Sequence, residues 1–125
     1  MKFREFVLES GTKLLLGKNA ESNEELVKKY KGKSNKILHT TIPGSPFCVI
    51  DKIVFSEDVY AAGALCARYS QDWRDNKDDV ELNVFTGKDV YKSKDMKTGT
   101  FGVKKFRTIK VKKEDIIKFE KSLIK

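Results

Sequence analysis

The sequence predicts an α+β fold, a mainly antiparallel sheet with about three helices in the order ββαββαβββα. Three observations carry this expectation. Short β-branched or alternating stretches such as "KILHTTI" and "VELNVF" recur between turn residues. Two longer stretches, near residues 19–32 and 56–73, carry apolar residues at helical spacing behind capping residues. No internal repeat or linker-like stretch divides the 125 residues, so one domain over 1–125 is expected.

The elements follow in order. "KFREFVLES" alternates, with Phe3, Val7 and in part Phe6 as its apolar positions, and reads as a strand. "GT" turns the chain into "KLLLGK", which completes a hairpin over 3–18. In "NAESNEELVKKYKGK", Asn19 or Ser22 caps a helix. Glu24 and Glu25 then fall in its first turn, and Lys28, Lys29 and Lys31 in its last, as the helix dipole favours. Gly32 ends it. "KILHTTI", the turn "PGS" and "PFCVID" form a second hairpin-like pair. Ser56, Glu57 and Asp58 open a longer helix over 56–73, with Val59, Ala62, Cys66, Tyr69 and Trp73 on one face. Its small-residue run "AAGALCA" allows close approach to a sheet. "RDNKDD" is a polar break. "VELNVF" is a half-buried strand, with Val80, Leu82 and Val84 inward. "TGKD" is a turn, and "VYKSKDMKTG" reads as a strand start followed by a mobile loop. "TFGVKKFRTIKV" reads as a hairpin turning near Lys104–Lys105. "KKEDIIKFEKSLIK" is an amphipathic terminal helix.

Composition narrows the function. The hydrophobic fraction of 39% supports a packed core. No apolar run approaches the ~20 residues that span a bilayer. The N-terminus lacks the pattern of a signal peptide, so a soluble, cytoplasmic protein without a membrane partner is expected. Cys48 and Cys66 sit in apolar settings and read as small buried hydrophobes. With His39, the one histidine, they give three soft ligands, short of the roughly four of a zinc site; no metal and no cofactor is expected. Residues 1–87 hold 13 Lys/Arg and 13 Asp/Glu, and residues 88–125 hold 13 and 5. The whole net charge of +8 therefore lies in the last 38 residues. A one-ended positive field attracts polyanions, meaning RNA, DNA or an anionic membrane face; the plain alternative is a solubilising surface. The 22 lysines against 4 arginines suit non-specific attraction better than bidentate base reading.

Enzyme motifs are absent. A His39–Ser45 pair with Asp51 has no GxSxG elbow around it, and in a hairpin across "PGS" the two residues would stand ~10 Å or more apart, too far for proton transfer. The adjacent acids Glu24/Glu25 and Glu57/Asp58 are explained by helix starts, and Asp78/Asp79 by a polar turn. No P-loop or GxGxxG occurs. "GKNAESN" is either a phosphate site beside Lys18 or an ordinary capped turn. In the basic segment, Lys88, Lys92, Lys94 and Lys97 precede Lys104, Lys105, Arg107, Lys110, Lys112 and Lys113, with Tyr91, Phe101 and Phe106 between. Lysines can track a phosphate backbone and aromatics can stack on unpaired bases, although Phe101 and Phe106 also read as core.

Four blocks, "LLLGKNAESNEELVKKY", "LHTTIPGSPFCVI", "EDVYAAGALCARYSQ" and "VYKSKDMKTGTFGVKKFRTIKV", together resemble the NFACT-R domain over roughly residues 12–111. That domain occurs in proteins of ribosome-associated quality control once named fibronectin-binding proteins, and as a short stand-alone protein. Gly17, Lys18, Asn19, Asn23, Glu24 and Leu26 fit its first block; His39, Pro43, Gly44 and Ser45 fit its second. Asn35, Ile37 and Pro46 stand where Asp, Trp and a second His are usual. The resemblance implies a non-enzymatic RNA-binding module for tRNA or ribosomal RNA. Its setting would be translation, on the ribosome or in a larger RNA-processing complex, with no small-molecule substrate. The N-terminal domain and coiled coil of the long members are not in this sequence, so tail elongation is not implied. An accessory subunit docking on a ribosomal or RNA-modifying protein, or an enzyme acting on RNA, are the alternatives. The expected RNA-binding residues are Lys18, Asn19, Asn23, His39, Ser45, Lys92, Lys94, Lys97, Lys104, Lys105 and Arg107.

Overall fold

The computed structural model describes residues 3–52 and 57–123. In chain order these form β1 (Arg4–Val7), β2 (Lys13–Leu16), α1 (Ala20–Tyr30), β3 (Lys36–Thr40), β4 (Cys48–Ile50), α2 (Glu57–Arg68), α3 (Gln71–Asn76) and β5 (Val80–Thr86). A 3-10 turn at Gly87–Asp89 leads to β6 (Val90–Tyr91), β7 (Gly102–Val103), β8 (Arg107–Val111) and α4 (Lys113–Leu123). Six strands make an antiparallel sheet in the order β1–β2–β4–β3–β5–β8; β6 and β7 pair separately. The α+β class and the mainly antiparallel sheet are as expected.

Strand alternation sends successive residues to opposite faces, and the central strands are covered on both. Leu14, Leu16, Leu38, Cys48 and Ile50 face a core closed by α2, α3 and α4. Leu15, Ile37, Phe47, Val49 and Phe85 face a second core closed by Leu26, Val27 and Tyr30 of α1 and by Val90. Double burial explains the unbroken apolar run "LLL" at Leu14–Leu16. Each of these leucines contributes roughly 1.5–3 kcal/mol on burial. In β5 the pattern differs: Val80, Leu82 and Val84 all reach the first core, but of Glu81, Asn83 and Phe85 only Phe85 reaches the second. The second layer therefore stops partway along the sheet.

Several expectations are corrected. In β1, Phe6 packs inward and Val7 is 69% exposed, the reverse of the weight placed on Val7. Asn19 is the cap of α1, so Glu21 occupies the first turn and Glu24 moves to the second. The helix expected over 56–73 breaks at Tyr69–Ser70. Ser70 is extended, and its Oγ accepts the Trp73 N–H at 3.2 Å, which starts α3. Trp73 still reaches the same core as α2. The proposed cap at Ser56 lies outside the described residues. The 100–111 hairpin does not form. Val103 pairs back with Val90, whereas β8 crosses to the sheet edge beside β5, where Val111 is buried and Ile109 packs against the first core.

Both cysteines are buried in the first core. Burial, and then the nearby Cys66 thiol, holds Cys48 well above the ordinary range; burial pushes Cys66 up to about 12. No described helix is long and apolar enough to cross a membrane.

Candidate nucleic-acid interface

Where the second layer stops, a cleft of about 630 Å³ opens at one end of the sheet. Its floor comes from neighbouring strands: His39 of β3 is the register partner of Asn83 of β5. The N-terminus of α1 forms one rim through Lys18, Asn19 and Asn23, and Thr98–Phe101 forms another side. Arg4, Tyr69 and Arg74 close the far wall. Among the described residues, Arg4, Lys18 and Arg74 are the cations lining this cleft, and no Asp or Glu lines it. Like charge concentrated in a concave surface focuses a field that draws anions.

The rim is built by interlocking polar groups. Asn19 Oδ1 accepts the Ser22 N–H at 2.9 Å, and Ser22 Oγ accepts the N–H groups of Lys18 at 2.7 Å and Asn19 at 3.0 Å. These donors are engaged inside the turn, which makes "GKNAESN" a capped turn. Asn23 Oδ1 accepts the Phe47 N–H at 3.0 Å and ties α1 to β4. That tie requires glycine at 17, because a Cβ there would sit 1.9 Å from Asn23 Oδ1.

The "PGS" turn is fixed from the other side. Gly44 has φ +100°, and its carbonyl accepts the Gln71 N–H at 2.9 Å, which docks the turn on α3. Ser45 Oγ accepts the Thr40 N–H at 3.2 Å. His39 and Ser45 stand closer than expected: both line the cleft, Ser45 Oγ contacts the amide next to His39, and the backbone of Thr40 and Ser45 lies near the imidazole. Burial lowers its basicity more than those backbone groups raise it, so the ring is neutral near pH 7. It stacks on Phe47, with centroids 4.3 Å apart and planes 28° apart. The Ser45 hydroxyl bonds to the backbone rather than to His39, and among the described residues no carboxylate lines the cleft to orient the imidazole. The three departures from the family pattern have local roles. Asn35 Nδ2 donates to the carbonyls of Ile50 and Asp51, Ile37 is core, and the Pro46 carbonyl accepts the Cys66 thiol at 3.3 Å.

The expected RNA-binding residues do not form one site. Lys18, Asn19, Asn23, His39 and Ser45 line the cleft together. Lys92 is a staple: its Nζ donates to Glu24 at 2.9 Å and to the carbonyls of Lys97 at 2.6 Å and Thr100 at 2.7 Å. Glu24 also accepts the Gly99 N–H at 2.7 Å, so the segment read as a mobile loop is latched to α1. Lys94, Lys97, Lys104, Lys105 and Arg107 are exposed and lie outside the cleft lining. Arg107 shares the face of Ile109 and Val111, opposite to His39. Phe101 packs against the second core, whereas Phe106 is 55% exposed.

Arg4, Phe47, Tyr69, Arg74 and Asn83 are among the cleft residues that sequence reasoning missed. Arg4 and Arg68 lie over the Tyr69 ring at 4.6 and 4.7 Å, and Arg74 lines the same cleft. The one available signal was Asn83, a polar residue on the strand face that also carries Phe85.

An antiparallel sheet covered on both faces, with an anion-attracting cleft at its end and a lysine-rich margin beside it, defines a small α+β module suited to polyanions. The chain belongs to the NFACT protein RNA binding domain family, whose model matches residues 2–105, and this is an RNA-binding family. A solved structure of the C-terminal part of the fibronectin/fibrinogen-binding protein from Streptococcus suis is similar, with a TM-score of 0.80 and 25% identity over 94% of this chain. The present chain spans about half of that one, 49% of its length. No curated protein matches the sequence.

Proposed function

We propose that this protein binds tRNA or ribosomal RNA as a non-catalytic module serving translation or ribosome quality control in the cytoplasm. The cleft lined by Arg4, Lys18 and Arg74 without a carboxylate carries this reading, together with family membership. The exposed Lys94, Lys97, Lys104, Lys105 and Arg107 would supply the long-range attraction and the cleft the seated contact. The absence of an acid partner for His39, and the backbone bond made by the Ser45 hydroxyl, favour binding over hydrolysis.

Titration of tRNA and a structured ribosomal RNA fragment at several salt concentrations tests this. With about four phosphates neutralised, log K should fall against log salt with a slope of about −3. A flat dependence, or no binding at low salt, would overturn the proposal. Crosslinking in cells with sequencing of the bound RNA distinguishes tRNA from ribosomal RNA.

A further inference from the structure

The floor of the cleft carries a stacked ring pair, His39 on Phe47, that lines the cleft. Phe47 is 5% exposed, and Phe85 and Phe101 hold it edge-on with centroids 6.5 and 5.9 Å away. His39, stacked on it, is half-buried and lines the cleft. A neutral imidazole backed by a clamped phenyl ring is a rigid, flat platform that loses little entropy when a second flat group covers it. Asn83 beside it has its Oδ1 engaged by the Thr108 hydroxyl at 3.0 Å. An amide whose oxygen is so engaged offers its NH2 to an acceptor. Arg4, Lys18 and Arg74 line the same cleft as this ring pair, as an amphipathic ligand with one charged end and one flat end would need. The volume of about 630 Å³ falls in the range of roughly 300–1,000 Å³ of small-ligand clefts.

We infer that this cleft seats a single unpaired nucleotide of an RNA, its base stacked on the His39–Phe47 pair and its phosphate held among Arg4, Lys18 and Arg74. The inference rests on the RNA-binding reading above and narrows it. A fully paired helix keeps each base stacked on its neighbours and presents none to the platform, so bulges, loops and single-stranded ends are the targets. The exposed lysines outside the cleft are then free to follow the flanking backbone without reading it.

The test uses the full chain and three blunt-ended RNA hairpins, each closed by a non-nucleotide linker in place of a loop: one fully paired, one with a single unpaired 2-aminopurine, and one with an abasic nucleotide at that position. The 2-aminopurine hairpin should bind about tenfold or more tightly than the abasic one, within the range of base–aromatic stacking. Its fluorescence should be quenched on binding, a readout of stacking that needs no variant. His39→Leu should erase the preference for the 2-aminopurine hairpin over the abasic one, and His39→Phe, which keeps a flat ring, should retain it. Equal affinity for the 2-aminopurine and abasic hairpins, or unchanged fluorescence in the complex, would overturn the inference while RNA binding stands. Failure to bind any of the three at low salt would instead remove the RNA-binding reading itself.

Discussion

Replacing Glu24 with Gln should release the wall of the cleft formed by residues 98–101. The carboxylate accepts from the Gly99 N–H at 2.7 Å and from Lys92 Nζ at 2.9 Å, with the exposed Lys28 at 3.2 Å. Its environment is shielded enough that burial alone would raise its pKa. The Gly99 N–H, Lys92 and Lys28 outweigh burial and hold the carboxyl at about 2, against an ordinary 4.5. Hydrogen bonds to a charged group contribute about 1.5–3 kcal/mol each, and the exposed Lys28 pair no more than ~0.5. Gly99 and Lys92 share Oε1, so glutamine can keep its oxygen on both, but it removes the charge that strengthens them and aims an N–H2 at Lys28, and the expected loss is about 1–2 kcal/mol. The folded pKa is depressed, so the carboxylate's stabilisation is present above pH ~4.5 and disappears as pH falls from there through about 2. Urea unfolding should show the loss at pH 7 and a flatter acid slope in the variant, and amide exchange at Gly99 and Thr100 should speed up. Stability within ~0.5 kcal/mol of the parent at pH 7, with Gly99 still protected, would refute the latch.

Gly17→Ala forces Asn23 away from its bond to the Phe47 N–H and should cost about 2–4 kcal/mol, seen as a fall of roughly 10 °C in melting temperature; an unchanged melting temperature would contradict the interlock. Ser70→Ala removes the cap of α3 and should cost about 1 kcal/mol in chemical unfolding. Reversing Lys104, Lys105 and Arg107 together should weaken RNA binding at low salt by roughly tenfold, against less than about twofold for Lys29 and Lys52, and should flatten the salt slope. His39 should titrate by NMR below its ordinary 6.5; protonation is disfavoured in the fold, so its effect on stability is absent above pH ~6.5 and destabilising as pH falls below it.

The sheet was legible because its strands carry their own periodicity and are bounded by turn residues, and α1 because its cap and its basic end agree. The break at Ser70 was not, because the apolar spacing from Val59 to Trp73 runs on across it; the cap serves a new helix whose tryptophan happens to land in the same core. The false 100–111 hairpin came from treating adjacent strands as partners. Val103 and Ile109 in fact pack against opposite cores, and sequence adjacency does not report on that. At the site, the first-block and second-block residues were found and meet in space. Arg4 and Arg74 lie 70 residues apart in the chain, among ordinary charges, and are joined only by the way β1 and α3 flank the sheet end. Lys92 was misjudged because a lysine in a basic run looks solvated until its carboxylate partner, 68 residues away, is known.

The burial of Cys48 and Cys66, with Cys66 held near 12, leaves the chain without a reactive thiol at neutral pH, since these are its two cysteines. A cysteine introduced at an exposed position such as Lys94 or Lys105 would therefore be labelled selectively in the unmodified background. Photo-crosslinkers or cleavage reagents attached there, one position at a time, could chart the path of an RNA across the basic margin and into the cleft, nucleotide by nucleotide.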